Sequence, residues 1–299
     1  MFEALVVGVV ALNVWADFTD RRAAAHSDIN ALALWTTIVQ FLLVAPLVGL
    51  VGELNMPQLA LCAGIGAFSA AARALWYRAL STSGEKLSRL APFSRISSVM
   101  VLGMAVLVLG ESVTANKIGG GLILIAGAFM MSWRGPVGSL REYLANNKAL
   151  ILVTVFAAST ASISVFYRYM MLAGVSIITT YFFLKLCQLC FAILHAVHYR
   201  YLMASHATIL DLQLFVQARA IQTAAALLYI FVLREIDLTR VEPIAAASGP
   251  LMFVAVEKAS EWRARRKGTN APPSREKHQL VRNAGLATVV LGLFVFASQ

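Results

Sequence analysis

Long apolar runs recur along the whole chain, and they restrict its fold more than any other feature of the sequence. A helix needs roughly 20 mostly apolar residues to cross about 30 Å of hydrocarbon. These runs are too long and too uniformly apolar to be strands of a membrane barrel, which alternate apolar and polar residues. The sequence therefore predicts an all-α membrane protein with ten transmembrane helices, at about 4–16, 29–51, 59–79, 92–109, 118–133, 149–167, 175–197, 212–233, 244–256 and 284–297.

The composition leaves little of the chain for a soluble domain. Apolar residues make up 59% of the 299 residues and charged residues only 13%, whereas soluble domains carry about 25% charged residues. The first residues lack the basic stretch of a signal peptide, so we expect the first apolar run to be retained as a span. We predict a multi-pass integral protein, and a bacterial inner (plasma) membrane is its expected location.

The net charge of +10 does not indicate nucleic-acid binding. Most basic residues lie in short loops between apolar runs, where Lys and Arg hold a loop in the cytoplasm. The densest basic cluster, 263–267, lies in the polar loop 258–282, and such a cluster suits an anionic lipid leaflet. We therefore expect a small-molecule substrate and membrane lipids as partners, with this loop on the anionic leaflet, and no nucleic acid.

Signs of catalysis or of a metal site are weak in this sequence. Cys187 and Cys190 form a C-x-x-C pair, but they lie one helical turn apart in an apolar run, so we interpret them as small buried side chains. No D-x-x-x-D or H-x-x-E-H pattern is present. We predict no catalytic residue, no metal and no cofactor, hence no enzyme. An intramembrane lipid-modifying enzyme and a non-transporting lipid-flipping or scaffold subunit stay open as alternatives, as do a monomer and a homodimer.

The runs are arranged as five spans, a connector and five more spans, which gives units at 1–133, 134–148 and 149–299. The two halves show weak internal similarity. Leu-Trp-Tyr at 75–77 matches Leu-Leu-Tyr at 227–229, and each is followed by a turn and a proline, Pro92 or Pro243. Because five is odd, the second half must enter the membrane from the opposite side. The arrangement is an inverted repeat, which is typical of secondary transporters.

One segment of the first half resembles a known family. Residues 109–114 read Leu-Gly-Glu-Ser-Val-Thr, and residues 117–127 read Lys-Ile-Gly-Gly-Gly-Leu-Ile-Leu-Ile-Ala-Gly. This pattern resembles the EamA-type transporters of the drug/metabolite transporter superfamily. The resemblance implies ten helices in two inverted five-helix repeats around a central cavity. The second half keeps Pro243 and Glu261 but lacks the Gly-Glu-Ser-Val-Thr turn, so it is the more divergent repeat.

Three residues of these turns are candidates for a structural or gating role. Glu111 stands near the predicted start of the fifth helix, where a carboxylate complements the helix dipole. Pro92 begins the fourth run and Pro243 immediately precedes the ninth, positions at which a proline can interrupt a helix beside the cavity, as in broken transporter helices. The glycines at 119–121 and Gly127 allow close helix packing.

Ionisable groups at membrane depth usually face a cavity or a partner. Lys185 lies near the middle of the seventh run and shares one helix face with Tyr181, Gln188 and His195. Interior cations suggest a substrate with a carboxylate or phosphate, whereas no Asp or Glu stands at the middle of a predicted span, which gives little support to proton-driven antiport. The candidate substrate-binding residues are Lys185, Tyr181, Gln188, Arg73, Arg219, Arg95 and Asn13.

Other interpretations of these residues stay open. Arg73 is near enough to the end of its span to snorkel, Arg95 suits a gate or a membrane-surface anchor equally, and Asn13 suits a hydrogen bond between helices. We expect a secondary transporter or exporter of a small polar or amphipathic metabolite, such as an amino acid or organic acid, working by alternating access.

The Lys and Arg residues predict an orientation that departs from the family resemblance. One side of the predicted topology carries 17 of these loop cations, eight of them in 258–282, and the other side carries only Lys117, Arg168, Arg234 and Arg240. The positive-inside rule places the first side in the cytoplasm and both termini outside. The usual arrangement of the family has both termini in the cytoplasm.

Overall fold

A computed structural model describes residues 2–24, 28–81, 96–131, 148–198, 212–242, 245 and 279–297. These residues form nine longer α-helices, a short helical stretch at 238–242 and no strand within the described ranges, in agreement with the all-α prediction. The helices are α1 Phe2–Ala24, α2 Ile29–Val44, α3 Met56–Ser81, α4 Ile96–Met104, α5 Ala115–Met131, α6 Lys148–Leu172, α7 Ile177–His198, α8 Leu212–Glu235 and α9 Gln279–Ala297. The ninth predicted span, 244–256, lies outside the described residues except for Ala245, and α9 corresponds to the tenth.

Five helices of the described part are long and apolar enough to cross a membrane. They are Ile29–Leu50, Met56–Ala79, Ile151–Leu172, Ile177–His198 and Gln213–Glu235, and two shorter apolar helices cover Ala4–Asp17 and Ile96–Leu109. Many large apolar side chains on these helices point outward, such as Leu42, Leu107 and Leu194, while polar side chains such as Lys185 and Gln188 are buried. A protein with an apolar exterior and polar groups inside has the distribution that a lipid surrounding requires.

The helix ends follow local sequence chemistry. The Asp28 side chain caps α2 by accepting hydrogen bonds from the backbone N–H groups of Asn30 and Ala31, both at 2.9 Å. Pro46 has no N–H to continue the ladder, and beside it α2 changes into a 3₁₀ turn, Ala45–Leu50. Helix α4 continues as a π turn, Ala105–Leu109, which ends at Gly110 with φ of 69°, a left-handed conformation that glycine adopts without strain.

The first helix is longer than the sequence predicted. The first apolar run ends at residue 16, but α1 continues to Ala24. Hydropathy marks where apolar residues stop, whereas a helix can continue through polar residues that find partners inside the bundle. Asp17 and Asp20 are therefore helical residues rather than loop residues.

The helices pack in a recurring pattern. The most extensive helix pairs are α5 with α9, α3 with α6, and α1 with α8, followed by α3 with α7, α4 with α6, and α2 with α7. Large side chains fill the interior between them, including Trp76, whose ring stacks on Phe156 with 4.7 Å between centroids. This packing surrounds a polar centre.

The contact between α5 and α9 depends on Gly127. A Cβ atom at this position would lie 2.7 Å from Val289 Cγ2, 2.8 Å from Val289 N and 2.9 Å from Gly285 O. Two of these neighbours are backbone atoms, so only a shift of the helices relieves the clash. We expect Gly127→Ala to destabilise the folded protein by about 1–3 kcal/mol, measured as the monodisperse fraction that survives heating in detergent.

Gly119 on the same helix provides the matched control for this prediction. A Cβ atom at Gly119 would have no neighbour within 4 Å, so Gly119→Ala should leave the stability unchanged or raise it slightly through better helix propensity. Equal stability of the two alanine variants would show that α5 and α9 do not pack closely at Gly127.

Candidate functional site

A polar cavity lies between the helices of the two predicted halves. Side chains of α1, α2, α3 and α4 line one part of its wall, and side chains of α6, α7 and α8 line the other, together with Glu242 and Ala245. Its volume is about 230 Å³, below the roughly 300–1,000 Å³ range of sites for drug-sized molecules. The cavity therefore has room for a small metabolite.

Lys185 reaches this cavity from the middle of α7 and is only 5% exposed. Its ammonium donates hydrogen bonds to Gln40 Oε1 and Gln188 Oε1, both at 2.8 Å, and lies 5.2 Å from the centre of the Tyr181 ring. Within the described ranges, no carboxylate lies within 4.0 Å of the ammonium nitrogen. Lys185 is thus a buried cation held by neutral acceptors and an aromatic face.

The predicted stripe on α7 is partly brought together at the cavity. Tyr181, Lys185 and Gln188 line it, as the helical spacing predicts. His195 instead lines a separate groove between α2, α3 and α7, where its ring stacks near Phe191. Three residues of the stripe, over two helical turns, therefore line the cavity, and the fourth, His195, does not.

Arg73 enters the same cavity from α3. Its guanidinium carbon lies 6.0 Å from the centre of the Phe156 ring, and the side chain is half-buried. In the described part of the chain it makes no hydrogen bond or ion pair. Arg73 therefore lines the wall rather than snorkelling away from it, and its N–H donors are available to a ligand.

Arg219 lies behind the cavity wall. It is fully buried and forms an ion pair with Asp20 of α1, which is equally buried. Its second amino group donates to Gln222 Oε1 at 2.8 Å and lies 3.4 Å from the Tyr77 hydroxyl oxygen. Of these, only Gln222 lines the cavity. The arrangement gives Arg219 a structural partner that the sequence did not reveal.

The other predicted residues divide into two groups. Asn13 lines the cavity from α1. Arg95, Pro92 and Pro243 lie outside the described residues.

Glu111 belongs to a cluster of charged side chains at the end of the helix bundle where α6 and α8 terminate. Its carboxylate lies 3.4 Å from Arg168 Nε and accepts a hydrogen bond of 3.1 Å from the Thr239 N–H. Arg168 also pairs with Asp237 and donates to the Leu233 carbonyl at 2.7 Å. The cluster ties the turn after α4 to the ends of α6 and α8, which belong to the other predicted half.

Sequence reasoning missed carboxylates near the cavity. Asp17 lines it, and Glu242 lines it while accepting hydrogen bonds from Ser98 Oγ at 2.8 Å and from the Tyr229 hydroxyl. A signal was present: Asn13, Asp17 and Asp20 are spaced i, i+4 and i+7, which puts them on one helix face. In the described ranges, no group of three or more His, Cys, Asp or Glu side chains could hold a metal ion.

Comparisons with known proteins agree with this architecture. Residues 4–133 match the model of the EamA-like transporter family, which is part of the drug/metabolite transporter superfamily. The family prediction made from the sequence is confirmed. A solved structure titled "Crystal structure of protein" has a TM-score of 0.64 at 16% identity and covers 98% of this chain and 97% of its own, which shows a shared fold alone. No curated protein matches the chain.

Proposed function

We propose that this chain, which belongs to the drug/metabolite transporter superfamily through residues 4–133, is a secondary transporter of a small metabolite that carries a carboxylate or phosphate group. One observation carries the proposal: Lys185 and Arg73 line a cavity enclosed by apolar helices, and no described carboxylate lies within 4.0 Å of the Lys185 ammonium. A buried charge is costly unless it is paired. A substrate anion would supply the missing partner.

The two cations suit different parts of such an anion. The planar guanidinium of Arg73 can bind two oxygens of a carboxylate or phosphate at once. The Lys185 ammonium is a point charge with one N–H left after its two bonds to glutamine. Tyr181 and Gln188 complete the wall beside Lys185, and Asn13 offers an amide on the α1 side. These five residues form the proposed substrate site.

The helix packing supports two inverted repeats, with units at 1–133 and 149–299 and a connector at 134–148. If each predicted span of the first half corresponds to the span five places later, then α1 corresponds to α6, α2 to α7 and α3 to α8. Helix α5, the fifth span, then corresponds to α9, the tenth span. Replacing every helix by its counterpart converts the α3–α6 pair into α8–α1 and the α3–α7 pair into α8–α2. The same replacement leaves the α5–α9 and α2–α7 pairs unchanged. All of these pairs are in contact. The cavity between the halves suits alternating access.

The Glu111 cluster is the proposed gate on one side of the cavity. Arg168 is only 8% exposed and connects Glu111 of the first half to Asp237 of the second. Access from this side requires the two halves to separate there, which breaks the Arg168–Glu111 ion pair and the hydrogen bond from Thr239 to Glu111, whereas the Arg168–Asp237 pair lies within the second half and can stay intact. A closed gate of this kind keeps the substrate from passing straight through the cavity.

We further propose that both termini lie outside the cell, with the loop 258–282 on the cytoplasmic leaflet of a bacterial inner membrane. Of the four cations on the opposite side, Arg168 is buried and paired with two carboxylates, so it contributes little positive charge at that surface. The excess of positive charge on the side of the loop 258–282 is thus larger than a count of Lys and Arg residues indicates. A monomer or a homodimer is compatible with this arrangement.

Labelling with an impermeant thiol reagent tests this orientation. In a variant that lacks the three native cysteines, Ser274→Cys in the loop should resist the reagent in intact cells. Asn55→Cys, at the opposite side just before α3, should react readily and serves as the control. Labelling of Ser274→Cys together with protection of Asn55→Cys would place both termini in the cytoplasm.

A thermal-shift screen tests the proposed substrate class. Amino acids, organic acids and phosphorylated metabolites are compared with neutral analogues in which the acid is an amide or ester. A ligand that binds only the folded protein stabilises it by RT ln(1 + [L]/Kd), so we expect the acids to raise the unfolding temperature and the neutral analogues not to do so. Equal stabilisation by the acids and by their neutral analogues would contradict the proposal that the substrate carries an anionic group.

A further inference from the structure

The chemistry of the Lys185 ammonium fixes how its two glutamine partners are oriented. A lysine ammonium has three N–H donors and no acceptor. Gln40 and Gln188 must therefore turn their amide oxygens toward it, as observed at 2.8 Å in both cases. Their amide nitrogens then point away from Lys185 and need acceptors of their own.

Each of those nitrogens has an acceptor on another helix. Gln40 Nε2 donates to Gln222 Oε1 on α8 at 2.7 Å, and Gln188 Nε2 donates to Ser69 Oγ on α3 at 2.6 Å. Gln222 Oε1 also accepts from Arg219, so this amide cannot turn over without losing both bonds. The two glutamines are consequently held from both ends, and they hold Lys185.

The identity of these acceptors matters because an amide and a carboxylate have the same shape but different charge. A glutamate at position 40 or 188 could also accept a hydrogen bond from Lys185. It would, however, form a buried ion pair and neutralise the ammonium. Glutamine positions the ammonium but supplies no counter-ion, so the place of a counter-ion stays open for another partner.

We infer that Gln40 and Gln188 are positioning residues that determine specificity, because they hold Lys185 toward the cavity without neutralising it and so reserve its charge for a substrate carboxylate or phosphate. This inference rests on the proposed function. Gln188 was a predicted site residue, and Gln40 of α2 lines the cavity beside it. With two N–H groups engaged, one remains for a substrate oxygen.

The test compares Gln40→Glu with Gln40→Met. Acetate and inorganic phosphate serve as probes. Each is titrated into the purified protein at constant ionic strength, and the unfolding temperature is measured. We expect Gln40→Glu to weaken binding of the better probe at least about tenfold, since a carboxylate competes with the probe for Lys185. Gln40→Met removes both hydrogen bonds but keeps the charge of Lys185, so we expect a smaller loss. Gln58→Glu, the same change at the start of α3 and outside the cavity lining, should bind like the wild type.

The order of the two variants separates a specificity role from a merely structural one. If Gln40 only supports the fold, glutamate, which keeps an acceptor for Lys185, should bind anions better than methionine does. That order, or equal affinity of Gln40→Glu and the wild type, would overturn the inference and leave the proposed function intact. If neither acetate nor phosphate stabilises the wild-type protein, the proposed anion site fails together with the inference. The better probe also identifies the carboxylate or phosphate class.

Discussion

Replacement of Asp20 by asparagine is expected to destabilise the folded protein by about 3–5 kcal/mol, because it leaves the Arg219 guanidinium buried without its counter-ion. Both side chains of this ion pair are 0% exposed. The remaining hydrogen-bond partners of Arg219, Gln222 and the Tyr77 hydroxyl, are neutral and cannot replace the carboxylate. The monodisperse fraction after heating in detergent measures the loss.

Two further variants serve as comparisons for the Asp20→Asn prediction. Asp237→Asn breaks the pair with Arg168 at a side chain that is 53% exposed, and Arg168 keeps Glu111 nearby, so we expect a loss of no more than about 1 kcal/mol. The double variant Asp20→Asn with Arg219→Gln removes both buried charges and should recover part of the stability lost by Asp20→Asn alone. If Asp20→Asn and Asp237→Asn were equally stable, Asp20 and Arg219 could not be a buried pair.

Lys185→Met is expected to lower transport by about 10- to 100-fold, which corresponds to the roughly 1.5–3 kcal/mol of a hydrogen bond to a charged group. Methionine keeps much of the apolar stem and deletes the charge. The fold should survive, because Lys185 has no carboxylate partner among the described residues and the change strands no buried anion. Transport in proteoliposomes and monodispersity in detergent are measured together.

The control for this charge removal is Arg234→Met, at the end of α8, where the side chain is 65% exposed and only weakly paired with Glu235. It should transport like the wild type. A parallel loss of stability and transport in Lys185→Met would indicate a structural ion pair instead. Full transport by a well-folded Lys185→Met protein would exclude both roles and leave Lys185 as a residue that faces lipid or snorkels to the surface.

Much of the architecture could be predicted because hydropathy and helical periodicity are local properties of the sequence. The 3.6-residue repeat placed Tyr181, Lys185 and Gln188 on one face of α7, and the structure brings all three to the cavity. The motif at 109–127 was sufficient for the family prediction. These signals need no knowledge of which helices are neighbours.

The partners of the charged groups could not be predicted in this way. Asp20 and Arg219 are separated by 199 positions, and Gln40 and Lys185 by 145. Their pairing depends on how α1 packs on α8 and α2 on α7, which hydropathy does not encode. The charged stretch from Asp17 to Arg22 also has the composition of a loop, so the last turns of α1 were missed. Arg95, Pro92 and Pro243 stay predictions.

Uptake by proteoliposomes tests the central claim, that the cavity moves an anion-bearing metabolite across the bilayer. Purified protein is reconstituted in liposomes and supplied with a mixture of amino acids, organic acids and phosphorylated metabolites, with Lys185→Met and Arg234→Met in parallel. We expect wild type and Arg234→Met to accumulate or exchange a compound with a carboxylate or phosphate, and Lys185→Met to fall toward the rate of empty liposomes. Chemical conversion of a supplied compound without net movement, or equal uptake by Lys185→Met, would contradict the account.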